Sequence, residues 1–313
     1  MLKRTVLLVV LLVTIVGSIT AFAAEKPNYT IGFVVSSVDA EINAIYYEEV
    51  MKRIEEKGGK AIGVITNNDD ERYIKAIENF TQIGVDGIII GYGKTEAYKG
   101  AIAQANAKNI PVVGLYAGIV EGMLFDVASN DFALSAMVSK YMVDRLRASG
   151  GTEIAVFFSD GMAWSRRRHL ALKAVLNEYT DIKVVAEHSV DWSNLRDDTM
   201  TATQNILLAN PGLDAVWAIF DLPALAAASA IQQTPGANAF AVGIDGDQEA
   251  LQMIAHTNVY GATVKQKPYK IAHTVVDKLY AYLNGDWEPL VRAIDVEGEL
   301  VTKGNIDQYW SAD

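Results

Sequence analysis

The sequence predicts an α/β fold made of two doubly wound parallel-sheet lobes. Short apolar runs alternate with longer amphipathic segments along most of the chain, which is typical of βαβ units. Strand-like runs begin near residues 31, 61, 87 and 112, and again near 154, 183, 215 and 240, so the second half repeats the spacing of the first. No Pro/Gly/Ser-rich linker separates the halves. We therefore expect two similarly wound lobes joined by short hinge strands.

The individual elements follow from periodicity. Ile45–Lys57 places Ile45, Val50 and Ile54 near one helix face, and Gly58-Gly59 ends the segment. Several strand candidates are continuous apolar runs, as strands buried on both faces must be. The predicted strands are Thr30–Val35, Ala61–Thr66, Gly87–Gly91, Pro111–Tyr116, Glu153–Phe158, Lys183–Glu187, Ala215–Phe220, Phe240–Ile244 and Tyr260–Val264. The other predicted helices are Glu71–Ile83, Glu96–Lys108, Phe132–Arg147, Arg167–Glu178, Asp197–Leu208, Ala224–Gln232 and Tyr269–Leu283.

Residues 1–23 are predicted to be a cleavable export signal. Lys3 and Arg4 form a basic start, an apolar run covers Val6–Val16, and Ala21-Phe22-Ala23 places small residues where a signal peptidase cuts. A membrane anchor is the alternative, but it needs about 20 consecutive apolar residues, and this run is shorter. We expect cleavage after Ala23 and a mature protein in the periplasm or an equivalent extracytoplasmic space.

Composition argues against several functions. The chain has 27 Lys and Arg against 38 Asp and Glu, a net charge of −11, so we expect no nucleic-acid partner. It has no cysteine, which excludes a lipid-anchored lipoprotein, disulfides and thiolate metal sites. The 4 histidines are scattered without metal-ligand spacing. We expect no metal and no cofactor.

Two partial motifs fail. Gly91-Tyr92-Gly93 begins a dinucleotide-like pattern, but Glu96 stands where the third glycine belongs. Carboxylates alternate after Asp245 as in calcium loops, but the twelfth position is His256. The only carboxylates that we can nominate for a carbohydrate enzyme are Asp131 and Asp245, so catalysis is a lesser alternative to binding.

Eight stretches together resemble the sugar-binding periplasmic proteins of type I fold, closest to the ribose-binding class. Each is weak alone, but their order and spacing match the family over nearly the whole mature chain. They are Thr30–Ser37, Gly84–Ile90, Asn109–Leu115, Val127–Asp131, Ser165–His169, Asn210–Val216, Ala241–Gly246 and Gly261–Gln266.

The resemblance implies a three-strand hinge and an N-terminal lobe of 29–129 plus 267–293, with a C-terminal lobe of 130–266 plus 294–313. It also implies a monomer that closes around a sugar or polyol and delivers it to the membrane permease of an ABC transporter. A receptor subunit that passes ligand state to a chemoreceptor uses the same fold and is the alternative partner. Repressors of this fold need an N-terminal DNA-binding segment, where this chain has the predicted signal.

The resemblance also implies particular ligand contacts. Arg166 matches the binding arginine at the start of a helix, with five fixed donors, whereas Arg168 matches a structural position. Asp245 matches a carboxylate that accepts hydroxyl hydrogen bonds, although an Asp-Gly turn is the plain alternative. Gln266 matches an amide near a hinge crossing.

Two tryptophans are candidate aromatic contacts to the ligand. Trp192 falls where the family places a ring over one sugar face, and Trp164, in the loop before Arg166, is a candidate second wall. A buried core position is the alternative for Trp192.

Several polar groups of the family are absent. Its Asp-Arg pair after the fourth strand is Tyr116-Ala117 here, and its asparagine after the seventh strand is Phe220, followed by Asp221. The first-loop aromatic pair becomes Ile42-Asn43, and Gly91 beside Tyr92 replaces another asparagine. Asp39, Tyr116 and Asp131 are further candidate contacts, with a solvent-facing loop position or, for Asp131, a helix cap as alternatives. We therefore expect a sugar other than ribose, a polyol or an autoinducer-like furanose.

Overall fold

The computed structural model describes residues 28–311, so the predicted export signal at residues 1–23 lies outside the described residues. Within them the chain forms two α/β lobes, each on a six-stranded sheet, which confirms the predicted fold class. The first lobe begins with β1 (Thr30–Val35), α1 (Glu41–Glu56), β2 (Lys60–Ile65), α2 (Asp70–Ile83), β3 (Gly87–Ile90), α3 (Lys99–Ala107), β4 (Val112–Leu115) and β5 (Met123–Ser129). The second lobe contains α4 (Asp131–Ser149), β6 (Glu153–Phe158), α5 (Ala163–Glu178), β7 (Lys183–Ser189), α6 (Leu195–Ala209), β8 (Ala215–Ala218), α7 (Asp221–Gln233), β9 (Phe240–Val242), α8 (Gln248–His256) and β10 (Tyr260–Lys265). The chain ends with α9 (Pro268–Leu283), β11 (Ala293–Val296) and β12 (Glu299–Thr302).

The sheet topology gathers the loops that follow the parallel strands at one edge of each sheet. The strand order is β11-β5-β4-β3-β1-β2 in the first sheet and β12-β10-β9-β8-β6-β7 in the second. Every pair of the first sheet is parallel, and in the second only β12 is antiparallel, to β10. Loops that follow parallel strands gather at one sheet edge, where ligands bind in open α/β sheets.

Three segments cross between the lobes. They lie between β5 and α4, between β10 and α9, and between β11 and β12. After the second crossing α9 packs against α1, and its Ile271 and Val275 join the first-lobe core. Sheet pairing assigns all of β11 to the first lobe, whereas the boundary expected from the sequence, at 293/294, falls inside this strand.

The sequence did not predict β5, β11, β12 or α8. In β5 the apolar run is interrupted by Asp126, which is only 6% exposed. Its carboxylate accepts the backbone N–H groups of Ala117 and Gly118 at 3.0 and 3.1 Å, and burial raises the pKa of Asp126 to about 6. These donors come from the neighbouring loop, so the strand pattern alone could not reveal why a carboxylate is tolerated there.

A helix cap fixes the start of α4 at the first crossing. The Asn130 side chain accepts the backbone N–H of Ala133 at 3.0 Å, which satisfies one of the free donors of the first helical turn. Asp131 therefore becomes the first helical residue and is buried directly beside the crossing.

Helices cover both faces of each sheet. Ile89 in β3 and Val113 in β4 are fully buried with residues of α1 and α9, and Trp217 in β8 is fully buried in the second lobe. Over residues 28–311, none of the helices is both long and apolar enough to span a bilayer.

We predict that Ile89→Ala lowers the free energy of unfolding by about 2–5 kcal/mol, because it leaves a cavity in the middle of the first sheet. Urea unfolding followed by circular dichroism measures this. Ile83→Ala is the control, since Ile83 is 62% exposed and its truncation should change stability by less than about 0.5 kcal/mol. Equal effects of the two substitutions would contradict the assigned core.

Candidate functional site

A buried amide joins the two lobes. Gln266, 4% exposed, follows β10 at the second crossing. Its Oε1 accepts hydrogen bonds from the hydroxyls of Tyr116 and Ser129, which follow β4 and end β5, the latter bond at 2.9 Å. Its Nε2 donates to Oδ1 of Asp245 in the second lobe at 2.7 Å. The amide oxygen of Gln266 therefore bonds to the first lobe, and its amide nitrogen bonds to the second lobe.

Arg168 lies next to this amide, 2% exposed, in α5. Its Nε donates to Oδ1 of Asp131 at 3.2 Å, and its Nη1 donates to Oδ1 of Asp245 at 3.1 Å and to the Ile219 carbonyl at 3.0 Å. The guanidinium carbon lies 4.9 Å from the ring centre of Trp164. Burial by itself lowers the pKa of Arg168, but Asp245 and Asp131 outweigh it and raise the pKa, so the guanidinium stays charged.

The two aspartates retain hydrogen-bonding capacity. Oδ2 of Asp131 is buried and has no hydrogen-bond partner among residues 28–311, although Nη1 of Arg167 lies 3.7 Å away. Asp245 has a backbone φ of 136°, in the region that favours glycine, and its backbone N–H bonds to the Val264 carbonyl at 3.0 Å. Burial raises the pKa of both carboxyls, and Arg168 opposes that shift.

Asp221 supports the loop that carries Asp245. It is fully buried, and its Oδ1 accepts the Tyr260 hydroxyl at 2.7 Å. Its Oδ2 accepts the backbone N–H groups of Gly246 and Asp247 at 2.8 and 2.9 Å, and the Thr263 hydroxyl lies within hydrogen-bond distance of both oxygens. Burial, with the charge of Asp245, raises the pKa of Asp221 to about 6. All of these partners belong to the second lobe.

Tyrosines form the first-lobe side of the site. The ring centre of Tyr46 lies 5.8 Å from that of Tyr116 and 6.5 Å from that of Tyr92. The Tyr92 hydroxyl is shared between the backbone carbonyls of Ser37 and Asn43, at 2.8 and 3.2 Å. Tyr46 is buried, whereas Tyr92 and Tyr116 remain partly accessible.

Three aromatic rings form the second-lobe side. Trp192 and Phe220 are nearly parallel, with ring centres 5.5 Å apart, and Trp164 stands edge-on to both. The indole N–H of Trp192 donates to the Ser159 hydroxyl at 3.1 Å, while 44% of the residue is exposed.

The remaining candidates lie towards the surface. Arg166 is exposed, and its Nη1 donates to the Asp160 carbonyl at 3.1 Å. Asp39 is exposed and bonds to the Ser37 hydroxyl, while Asn43 is half-buried and its backbone carbonyl accepts the Tyr92 hydroxyl. The residues that the structure brings together around Arg168 are Tyr116, Asp131, Trp164, Asp245 and Gln266. Arg166, Asp39 and Asn43 lie outside this buried cluster.

Sequence reasoning did not select Tyr46, Ser129 or Arg168 as site residues. Arg168 stands in a basic triplet, and nothing in three adjacent arginines distinguishes the buried one. The helical period could have indicated that Arg168 is buried, because the buried His169 and Leu172 lie on the same side of α5. Tyr46 and Ser129 carried no sequence signal beyond polarity.

The fold and this site between the lobes, called the cleft below, define a two-lobed ligand-binding protein, and comparison with known proteins gives its family. A model described as "Periplasmic binding protein domain" matches residues 31–286, so the chain belongs to the periplasmic binding proteins. The ribose import binding protein of Bacillus subtilis is 27% identical over 265 residues, covering 84% of each chain, which confirms the predicted resemblance to the ribose-binding class. The xylitol-binding protein of Mycolicibacterium smegmatis is 24% identical over 249 residues, covering 77% of this chain and 68% of the relative.

Solved structures share the fold. An ABC sugar transporter subunit from Rhodobacter sphaeroides superposes with a TM-score of 0.81 at 23% identity, over 90% of this chain and 100% of its own. An ABC transporter solute binding protein from Agrobacterium vitis with bound allitol gives a TM-score of 0.81 at 20% identity, over 91% of this chain and 98% of its own.

The carboxyl of Asp247 makes the stability of the protein depend on pH. Burial, with the charges of Asp221, Asp245 and Glu41, raises the pKa of Asp247 to about 9. The folded protein then holds a proton that the unfolded chain releases near its ordinary pKa of 3.8, so this group's contribution falls as pH rises from about 4 to about 9.

We therefore expect the free energy of unfolding to decrease between pH 5 and pH 8.5, and Asp247→Asn to reduce that slope. Asn is also an acceptable helix cap at this position before α8. Urea unfolding at several pH values measures the effect, with exposed Asp307 replaced by Asn as the control. An unchanged slope in Asp247→Asn would contradict the assigned environment.

Proposed function

We propose that this protein binds a sugar or polyol between its lobes and delivers it to an ABC importer. The observation that supports this most directly is the buried cluster of Arg168, Asp131, Asp245 and Gln266, which lies where the strand ends of both sheets meet. The ribose and xylitol relatives and the allitol-bound neighbour support the ligand class. Their names support an importer as the partner and give no support for a chemoreceptor.

The cluster suits hydroxyl groups. The free carboxylate oxygens of Asp131 and Asp245 accept O–H hydrogens, and the charged guanidinium of Arg168 donates to ring or hydroxyl oxygens. The rings of Trp164 and Trp192 offer flat apolar area to a sugar C–H face. In this proposal Asp221 positions the Asp245 loop, while Arg166, Asp39 and Asn43 contact ligand only at the rim.

Ligand binding would favour the closed arrangement of the lobes. Moving a two-state equilibrium from mostly open to mostly closed requires about 5.5 kcal/mol of differential binding. Hydrogen bonds to charged groups contribute about 1.5–3 kcal/mol each, so two to four such bonds are sufficient. Gln266 couples the ligand-binding carboxylate of the second lobe to Tyr116 of the first, so the ligand contacts and the lobe arrangement depend on each other.

Binding without turnover fits the placement of the carboxylates. A glycoside hydrolase needs two carboxyl groups on opposite sides of the scissile bond. Asp131 and Asp245 instead flank one guanidinium, which holds both as hydrogen-bond acceptors. We propose that the protein is not an enzyme and acts as a monomer.

Export is part of the proposal. We expect the mature protein, recovered from the periplasm, to begin at Ala24, because the small residues before it match signal peptidase preference. N-terminal sequencing of the exported protein tests this, and a protein that begins at Met1 would contradict it.

Two arginines of the same helix test the site. We predict that Arg168→Lys weakens sugar or polyol binding about 100-fold, because Lys cannot bond Asp131 and Asp245 together while presenting a planar donor. Arg166→Lys should leave the affinity within about threefold, since Arg166 is exposed at the rim.

Isothermal titration calorimetry with pentoses, hexoses, pentitols and hexitols provides the measurement, after a thermal-shift screen selects the ligand. Circular dichroism of both variants checks that they are folded. Equal losses in the two variants, or a larger loss in Arg166→Lys, would overturn the proposed site.

A further inference from the structure

We infer that the natural ligand carries an apolar substituent on its sugar or polyol, of the size of an alkyl, thioalkyl or aryl group. This inference rests on the proposed function and specifies the substrate class. It follows from the division of the cleft between one compact polar cluster and two aromatic walls, in which the hydroxyls of Tyr92 and Tyr116 and the indole N–H of Trp192 already have protein partners.

The first-lobe wall presents ring faces and no free hydroxyl. The Tyr92 hydroxyl is bonded to two backbone carbonyls of its own lobe, at 2.8 and 3.2 Å. The Tyr116 hydroxyl is bonded to Gln266. Ile42, partly buried against the same core, adds an aliphatic side chain at the start of α1. A ligand that approaches these tyrosines meets ring faces whose hydroxyl hydrogens are already donated within the protein.

The second-lobe wall has the same character. Trp164, Trp192 and Phe220 follow the carboxyl ends of three neighbouring strands, β6, β7 and β8. The indole N–H of Trp192 is bonded to Ser159, and Phe220 offers no polar atom. Trp192 is nevertheless 44% exposed and its ring stands edge-on to Trp164, which packs on Arg168, so an apolar ring surface faces solvent beside the polar cluster.

The buried polar capacity of the cleft is concentrated in the cluster around Arg168, and the other polar candidates lie at the rim. A hydroxyl that is buried against either aromatic wall would lose its hydrogen bonds to water and gain few from the protein. A fully hydroxylated hexose would present several such groups. A ligand with hydroxyls at one end and an apolar group at the other satisfies the cluster and covers the walls at once.

Matched glycosides test this inference. The probes are D-xylose, methyl β-D-xylopyranoside and phenyl β-D-xylopyranoside, with the corresponding three D-ribofuranose compounds, each titrated calorimetrically against the full mature chain. We expect the phenyl or methyl glycoside to bind at least about tenfold more tightly than the free sugar in one of the two series.

The substitution Phe220→Asn identifies the wall responsible. Phe220 precedes α7 with extended backbone, where Asn is a favourable helix cap, so the variant should fold. We expect it to reduce the ratio of glycoside to free-sugar affinity by about tenfold, because an amide replaces part of the apolar wall. Leu208→Asn is the matched control, since Leu208 is 77% exposed on α6 and should leave the ratio unchanged.

The outcomes separate the two proposals. Free sugars or polyols that bind as tightly as the glycosides, with no change of ratio in Phe220→Asn, overturn this inference and leave the proposed function intact. If no sugar, polyol or glycoside binds, the proposed function fails and this inference fails with it.

Discussion

The hydrogen bonds of the Gln266 amide are the constraint on which the arrangement of the site depends. This amide is buried at a crossing between lobes, so each of its polar atoms needs a protein partner. The hydroxyls of Tyr116 and Ser129 in the first lobe donate to the amide oxygen, and Asp245 of the second lobe accepts from the amide nitrogen. The relative position of the two sheet edges is therefore tied to one side chain, and the same side chain holds the carboxylate that faces the cleft.

Charge balance sets the second constraint. Buried carboxylates are expensive unless they are paired, and one guanidinium serves both Asp131 and Asp245. Within residues 28–311 Asp221 has no such cation, and two hydroxyls and two backbone N–H groups stabilise it instead. The strained backbone of Asp245 is held by the loop that Asp221 organises. The buried carboxylates are thus stabilised in two ways, by a shared guanidinium or by a set of hydroxyl and backbone N–H donors.

Family membership fixes the framework and leaves the ligand to the side chains. The relatives named above bind different compounds with one fold, because parallel sheets always place their carboxyl-end loops at the same edge. In this chain those loops contribute a small polar cluster between aromatic walls. The walls differ from the cluster in that the hydroxyls of Tyr92 and Tyr116 and the indole N–H of Trp192 are bonded within the protein, so the walls recognise shape and apolar area but few hydroxyls.

The sequence by itself determined the α/β alternation, the two lobes and the family, because hydrophobic periodicity and strand spacing are properties of neighbouring residues. It also located Asp245, Gln266 and Trp192 at strand ends. It did not reveal β5, whose buried Asp126 depends on donors from another loop. Nor could it show which arginine of α5 enters the cleft, since residues two apart on a helix point about 200° apart. Only the packing of α5 against α4, with the bond from Arg168 to the Ile219 carbonyl just after β8, buries Arg168 and exposes Arg166 and so decided that.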